Sequence, residues 1–280
     1  MKNRVALLTT IFPMKEKYLI SFLTSLEKQT YLNFDLIVVN DGYKNFKEVK
    51  HRYKTLNIIE LKYSNTHAKN REFGINYILD NKYDILIFGD SDDYFKDNRV
   101  QVSIEYLAKY DIVVNDLSLF KEEIVFSEQY ISNRINNNTE IDLEFIKNKN
   151  IFGMSNTAIK LGDLDKISFD KELIAIDWYL FSFLLINGYR AVFTTQTETF
   201  YRQHGQNIIG IGELTRESVL KGIDLKIRQY KILAESDKSY GTLLIEMLQL
   251  QQNIEDNEVM DVIKKQNIKY PFWWEGIKLI

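Results

Sequence analysis

Strand-like and helix-like segments alternate four times within the first 115 residues, and few architectures accommodate that rhythm. Val5–Thr9, Phe34–Val39, Asn57–Leu61 and Asp84–Phe88 read as strands, and Phe34–Val39 suits a strand buried on both faces. Between and after them, Lys15–Gln29, Phe46–Tyr53, His67–Leu79 and Asp97–Lys109 read as helices, the first with Tyr18, Leu19, Phe22, Leu23 and Leu26 at helical spacing. Asp111–Asn115 is a further strand. Repeated strand–helix–strand units have right-handed connections, so the pattern predicts an α/β fold with a mostly parallel sheet flanked by helices.

Beyond Leu117 the alternation breaks. Thr139–Asn148 is expected to be a short helix with Thr139 as N-cap, and Gly153–Lys160 a strand. Asp177–Asn187 is an apolar helix stopped at Gly188. Arg190–Thr194 reads as a strand and Thr199–His204 as a separate extended segment. From Thr215 to about Gln266 the pattern is helical throughout. These features predict an α/β domain over residues 1–214 and a helical extension over 215–280.

Composition removes several chemistries. The 280 residues include no cysteine, which excludes disulfides, thiolate metal sites and a thiol nucleophile. Three histidines, His51, His67 and His204, are too few for a His-rich metal centre. The 36 Lys and Arg against 39 Asp and Glu give a net charge of −3, which speaks against a general nucleic-acid binder. The longest apolar run, Trp178–Ile186, falls well short of the roughly 20 residues of a membrane span. The apolar stretch before Pro13 has no cleavage-site pattern and reads as strand rather than signal peptide; the absence of Cys fits a reducing cytosol, and a cytoplasmic location is expected.

Ligands of open α/β sheets bind beyond the carboxyl ends of the strands. The second strand ends in Asn40-Asp41-Gly42 and the fourth in Gly89-Asp90-Ser91-Asp92-Asp93. Two carboxylates about 5 Å apart repel by roughly 3 kcal/mol at an effective dielectric near 20, so solvent or a cation must offset the cluster. Asp90 and Asp92 point the same way in an extended segment. Oxygen-only ligands favour Mg²⁺ or Mn²⁺, which complete their shells with phosphate oxygens and water. A solvated acidic turn before the helix at Asp97 is the simpler alternative. No Gly-x-Gly-x-x-Gly follows the first strand and no P-loop is present, which argues against a dinucleotide dehydrogenase or a P-loop enzyme.

With these residues in view, the chain resembles the family 2 glycosyltransferases of GT-A fold, inverting bacterial enzymes that extend surface polysaccharides. The resemblance runs from about residue 5 to about residue 210. Val38-Val39-Asn40-Asp41-Gly42 resembles the family's Val-Asp-Asp-Gly-Ser segment, which implies that Asp41 reads the nucleotide base. Arg71-Glu72-Phe73-Gly74-Ile75 resembles Arg-Asn-x-Gly-Ile, with Glu72 in place of Asn. Asp90-Ser91-Asp92-Asp93 matches the Asp-x-Asp motif, implying that Asp90 faces the ribose and metal and that Asp92 or Asp93 holds the ion. Ile176-Asp177-Trp178 resembles the Glu-Asp-Trp segment of the catalytic base, with Ile176 in place of Glu. Tyr201-Arg202-Gln203-His204 and the following Gly205-Gln206-Asn207 resemble the Tyr-Arg-x-His-x-x-Asn segment near the donor phosphates. The family's opening Pro-x-Tyr-Asn is here Thr9-Thr10-Ile11-Phe12-Pro13, so the first base-binding loop, with Thr10, is altered.

The resemblance implies donor contacts at Thr10, Asp41, Arg71, Asp90, Ser91 and Arg202, and metal ligands among Asp90, Asp92, Asp93 and His204. A cation would sit on the departing diphosphate, and Asp177 would take the proton of the attacking hydroxyl. Each residue also has a plainer reading. Asp177 can serve the first helical turn, His204 can be a structural histidine, and Arg71 can lie on a solvated helix face together with Lys69 and Asn70. Two other functions stay open: a sugar-phosphate nucleotidyltransferase, which the Thr9–Met14 loop does not favour, and a degenerate domain that binds glycan or protein.

The chain closes on Tyr270-Pro271-Phe272-Trp273-Trp274 and six further residues. These rings could lie at the inner face of the cell membrane beside a lipid-linked acceptor, or pack against the chain's own domain or the partner of a homodimer. No polybasic cluster favours the membrane.

Overall fold

The computed structural model describes residues 3–203, 215–254, 257–266 and 268–278. Its strands are β1 Val5–Ile11, β2 Asp35–Asn40, β3 Asn57–Lys62, β4 Ile85–Phe88, β5 Tyr94–Phe95, β6 Ile112–Lys121, β7 Ile124–Ser127, β8 Glu140–Ile141, β9 Thr157–Lys160 and β10 Ala191–Arg202. The helices are α1 Glu16–Glu27, α2 Phe46–Lys50, α3 His67–Asp80, α4 Arg99–Leu107, α5 Leu143–Ile146, α6 Ile176–Ile186, α7 Arg216–Leu233, α8 Ser239–Asn253 and α9 Asn257–Lys265.

The chain divides into two compact units. The first holds Met1–Glu140, Met154–Phe169 and Arg190–His204. The second combines Ile141–Gly153 and Asp170–Tyr189 with the described residues beyond 204. The boundary read from the sequence at 214/215 therefore separates only the last of the second unit's three segments. The other two lie inside the span read as the α/β domain, because α5 packs on α6 and α6 packs on α7, with Trp178 against Tyr230.

The first unit is built on a sheet of order β3-β2-β1-β4-β9-β6-β10-β5. β3, β2, β1 and β4 run parallel, as the strand–helix alternation predicts. β9 then enters antiparallel to both β4 and β6. Between β6 and β9 the chain passes through β7, β8 and α5 and re-enters the sheet in the opposite sense. β10 runs parallel to β6, with a register shift between Thr194 and Glu198. The two extended segments expected at 190–194 and 199–204 are thus one bulged strand.

Every residue of β1 is buried, so side chains of both faces enter a core. Leu7, Leu36, Val38 and Ile87 pack with Leu19, Phe22, Leu23 and Leu26 of α1. The alternate residues Leu8 and Val39 approach Gly74 of α3. The strand period of two thus places α1 and α3 on opposite faces.

In the second unit, α5 is shorter than expected and starts later. Asp142, not Thr139, caps it, accepting the Phe145 N–H at 2.8 Å. The Thr139 hydroxyl instead donates to the Asn136 carbonyl at 2.7 Å. Phe272 and Trp274 of the closing aromatic segment are buried within this unit, while Tyr270 is 40% exposed. None of the described helices is long and apolar enough to cross a membrane.

Candidate active site

β1 lies between β2 and β4, so these three strands end side by side. The start of α3 links the ends. Asn70 is fully buried, and its Nδ2 donates to Asp41 Oδ2 at 2.8 Å and to the Asn65 carbonyl at 3.1 Å. The Ser64 hydroxyl donates to the other oxygen, Asp41 Oδ1, at 2.5 Å. The next residue along α3, Arg71, reaches Asp90 instead, its Nη2 donating to Oδ1 at 2.6 Å. Arg71 is therefore part of an ion pair rather than a solvated helix face, and Asn70 is not helix surface. Sequence reasoning placed Asn70 on the helix surface and passed over Ser64. The only signal for Asn70 was its place beside Arg71.

The end of β4 is also tied to β1. The buried Ser91 donates its hydroxyl to the Thr10 carbonyl at 2.7 Å. Thr10 joins the site through its main chain, and its own side chain is buried.

The acidic residues have different surroundings. Asp90 and Asp92 are partly exposed, whereas Asp93 is 1% exposed. Asp93 Oδ1 accepts the Arg202 main-chain N–H at 2.7 Å, and Oδ2 accepts the Ser155 hydroxyl. Arg202 Nε donates back to the Asp92 carbonyl at 2.7 Å, and Nη1 meets Glu123 at 3.1 Å. Its guanidinium lies between the rings of Tyr18, at 4.2 Å, and Phe120, at 4.3 Å. Arg202 is buried and holds the acidic segment by its own hydrogen bonds.

Arg99 is a second buried cation near these acids, and no sequence motif signalled it. It lies over the Phe95 ring at 4.1 Å. Nη2 donates to the carbonyl of Phe88, the last residue of β4, at 2.6 Å, and Nε donates to Asn115 Oδ1 at 3.1 Å. Asn115 continues to the Thr199 hydroxyl at 3.0 Å, and Thr199 to the Ser155 carbonyl at 3.1 Å. A buried polar chain thus runs from the end of β4 to Ser155, the partner of Asp93.

Burial raises the pKa of Asp90, with Arg71 acting against it and Asp92 adding to it. Burial, then the charges of Asp92 and Asp90, holds Asp93 well above the usual carboxylate range, opposed by its two hydrogen bonds. Burial lowers Arg99 to about 9, against the pull of Asp93 and Asp90. Among the described residues no three His, Asp or Glu side chains gather as a metal cluster. Asp90 and Asp92 are the partly exposed carboxylates of the segment, and Asp90 Oδ1 is held by Arg71. His204 lies outside the described residues.

Glu72, the departure from the resembled Arg-Asn segment, is engaged within the first unit. Its Oε2 accepts the Phe169 N–H at 2.7 Å and Lys69 Nζ at 2.7 Å. Asn76 exchanges two hydrogen bonds with the main chain of Ile167, at 2.8 and 2.9 Å.

Asp177 belongs to the second unit, in the first turn of α6. Ala175 provides no side-chain cap, and Asp177 Oδ1 accepts the Trp178 N–H at 2.8 Å. Both sequence readings of Asp177 are compatible with this first-turn position.

No curated protein matches the chain by sequence. Among solved structures, residues 1–349 of S. aureus TarS in complex with UDP-GlcNAc superpose with a TM-score of 0.64 at 17% identity, covering 95% of this chain and 76% of that one. The same segment with UDP gives 0.61 at 17% identity, covering 95% and 75%. A longer TarS structure gives 0.62 at 15% identity, and the match covers 95% of this chain but only 46% of that protein. At these identities the likeness is one of fold, the GT-A arrangement of sheet and flanking helices. The sequence profile of glycosyl transferase family 2 matches residues 10–166, more than half of the length, and the chain belongs to that family.

Proposed function

We propose that the protein transfers a sugar, with inversion, from a nucleotide-diphosphate donor to a hydroxyl of a glycan or lipid-linked acceptor in surface-polysaccharide synthesis. One observation carries the reading. Asp41, Asn70, Arg71 and Asp90 form a connected polar set where β1, β2 and β4 end, which is where an open α/β sheet binds its ligand. The UDP-GlcNAc and UDP complexes of TarS support a nucleotide-sugar donor, and UDP is the first nucleotide to test.

In this reading Asp41 accepts from the base, with its orientation fixed by Ser64 and Asn70. Asp90 and Asp92 would hold a Mg²⁺ or Mn²⁺ ion. Two carboxylates fit an ion that fills its remaining positions with diphosphate oxygens and water. When bound, the ion offsets the charge that develops on the departing diphosphate. Asp93 is 1% exposed and is bonded to Arg202 and Ser155, so it serves as a buried anchor of the segment. The acceptor oxygen bonds to the anomeric carbon as the carbon–oxygen bond to the diphosphate breaks. The electron pair leaves with the diphosphate, and the hydroxyl proton passes to Asp177. Attack opposite the leaving group inverts the anomeric centre. A cytoplasmic setting, at the inner membrane face when the acceptor is lipid-linked, suits this chemistry.

The test is a thermal-shift panel of nucleoside diphosphates with and without Mn²⁺. A ligand that binds only the folded state stabilises by about 2.7 kcal/mol at 100-fold over its Kd. One nucleotide that shifts Tm only with Mn²⁺ is the expected result. No shift with any pair, in folded protein, overturns the reading.

A further inference from the structure

The C-terminal aromatic segment is built into the second unit around one residue, Trp178. Its indole is fully buried, and Nε1 donates to the Ile146 carbonyl at 2.7 Å. The Trp274 ring stacks on it at 4.9 Å with the planes 11° apart, and Tyr230 meets it edge-on at 6.0 Å.

Several fastenings hold residues 268–278 in place. Asn150 bridges to Trp273, its N–H donating to the Trp273 carbonyl at 3.1 Å. Glu275 Oε2 accepts the Phe272 N–H at 3.0 Å. The buried Lys226 of α7 donates to the Asn148 carbonyl at 2.8 Å and to the Ile277 carbonyl at 2.5 Å. At Gly222, one turn earlier on α7, a Cβ would stand 2.1 Å from Ile277 Cδ1. Trp274 itself has φ +62, a left-handed backbone that a bulky residue adopts only when its surroundings over-determine it. The chain accepts that strain and places the ring against Trp178.

Trp178 follows Asp177 directly, and its main-chain N–H is the donor to Asp177 Oδ1. What fixes the Trp178 ring therefore fixes the peptide that orients the Asp177 carboxylate. We infer that residues 268–278 are a positioning strap for the start of α6, with Trp274 acting through Trp178 on Asp177. The inference rests on the general-base role proposed for Asp177. It assigns the tail's rings to catalysis by the chain's own unit rather than to a membrane surface.

The test compares full-length Trp274→Ala, Trp274→Phe and Asp177→Asn with the parent. The first readout is hydrogen exchange of the Trp178 amide, which needs no substrate. Exchange at least tenfold faster in Trp274→Ala, with Trp274→Phe within about twofold of the parent and the first unit unchanged, is expected. The second is release of nucleoside diphosphate from the sugar nucleotide chosen by the thermal-shift panel. In Trp274→Ala, kcat should fall at least tenfold with donor KM within twofold, and Trp274→Phe should recover most of it. Folded Trp274→Ala with parental exchange at Trp178 and parental kcat overturns the strap. Should that variant not fold, Lys226→Met loosens the strap without emptying the space beside Trp178, and the same two readouts decide. If Asp177→Asn keeps its turnover, the base assignment fails, while the exchange data still report on the strap.

Discussion

Arg202 is fastened to Asp93 and to the residue before it: the Asp93 carboxylate accepts the Arg202 main-chain N–H, and the Arg202 guanidinium donates to the carbonyl of Asp92, each at 2.7 Å. These bonds divide the acidic segment. Asp93 faces inward and stabilises, while Asp92 keeps its carboxylate on the more exposed side.

Asp93→Ala should therefore act on stability. It leaves two buried donors without their partner, each at a cost of about 1–3 kcal/mol. A urea midpoint lowered by the equivalent of about 3 kcal/mol is expected. Asp92→Asn should leave the urea midpoint within about 0.5 kcal/mol of the parent but abolish the Mn²⁺-dependent nucleotide shift. Loss of that shift without loss of stability in Asp93→Ala would falsify the division.

Asn70→Ala takes one donor from Asp41 and leaves the ion pair of Arg71 in place. A neutral donor to a carboxylate contributes about 1.5 kcal/mol or more, so nucleotide affinity should fall roughly tenfold. Calorimetry with UDP and Mn²⁺ measures it. Affinity equal to the parent would mean that Asn70 serves α3 alone.

Gly74 explains the glycine of the Arg71-Glu72-Phe73-Gly74 segment. A Cβ there would stand 2.6 Å from Leu8 Cδ1 and 3.0 Å from Val39 Cγ2, both buried core residues. Gly74→Ala should destabilise by about 1–3 kcal/mol through overpacking between α3 and the sheet. Chemical denaturation checks this, and an unchanged midpoint would show that Leu8 can move aside freely.

The strap also predicts a pH response. Burial, with the nearby charge of Lys278, lowers Lys226 from its ordinary 10.5 to about 7. Below pH 7 both folded and unfolded chains hold this proton, and the cost of burying the charge is fully expressed. Between about 7 and 10.5 the folded chain releases it while the unfolded chain keeps it, so stability rises with pH. The urea midpoint of the parent should increase from about pH 7 to about pH 9 more than that of Lys226→Met. Equal slopes in the two proteins would remove Lys226 as the cause.

Much of this was legible in the sequence because it depends on neighbours along the chain. The strands β1 to β4 and their helices follow from side-chain period, and the acids at the ends of β2 and β4 follow from where apolar runs stop. The helix at Asp177 was legible for the same reason. Asn70, Ser64, Ser155 and Arg99 were not, since nothing local distinguishes them from ordinary polar residues. Their roles depend on distant partners, such as Asp41 for Ser64, 23 residues away, and Asp93 for Ser155, 62 residues away.

Residue order alone was enough for the α/β class, the parallel half of the sheet, the family segments and the absence of thiol chemistry. Period and composition are properties of single segments, and they survive without knowledge of the fold. It took the folded chain to establish that β9 enters antiparallel, that Asp93 and Arg202 are buried anchors, and that α5 and α6 join the C-terminal helices in one unit. Folding also turned the Trp274 ring inward, onto Trp178. Each of these outcomes depends on which distant surfaces exclude water together, and burial of that kind has no signature in the spacing of residues along one chain.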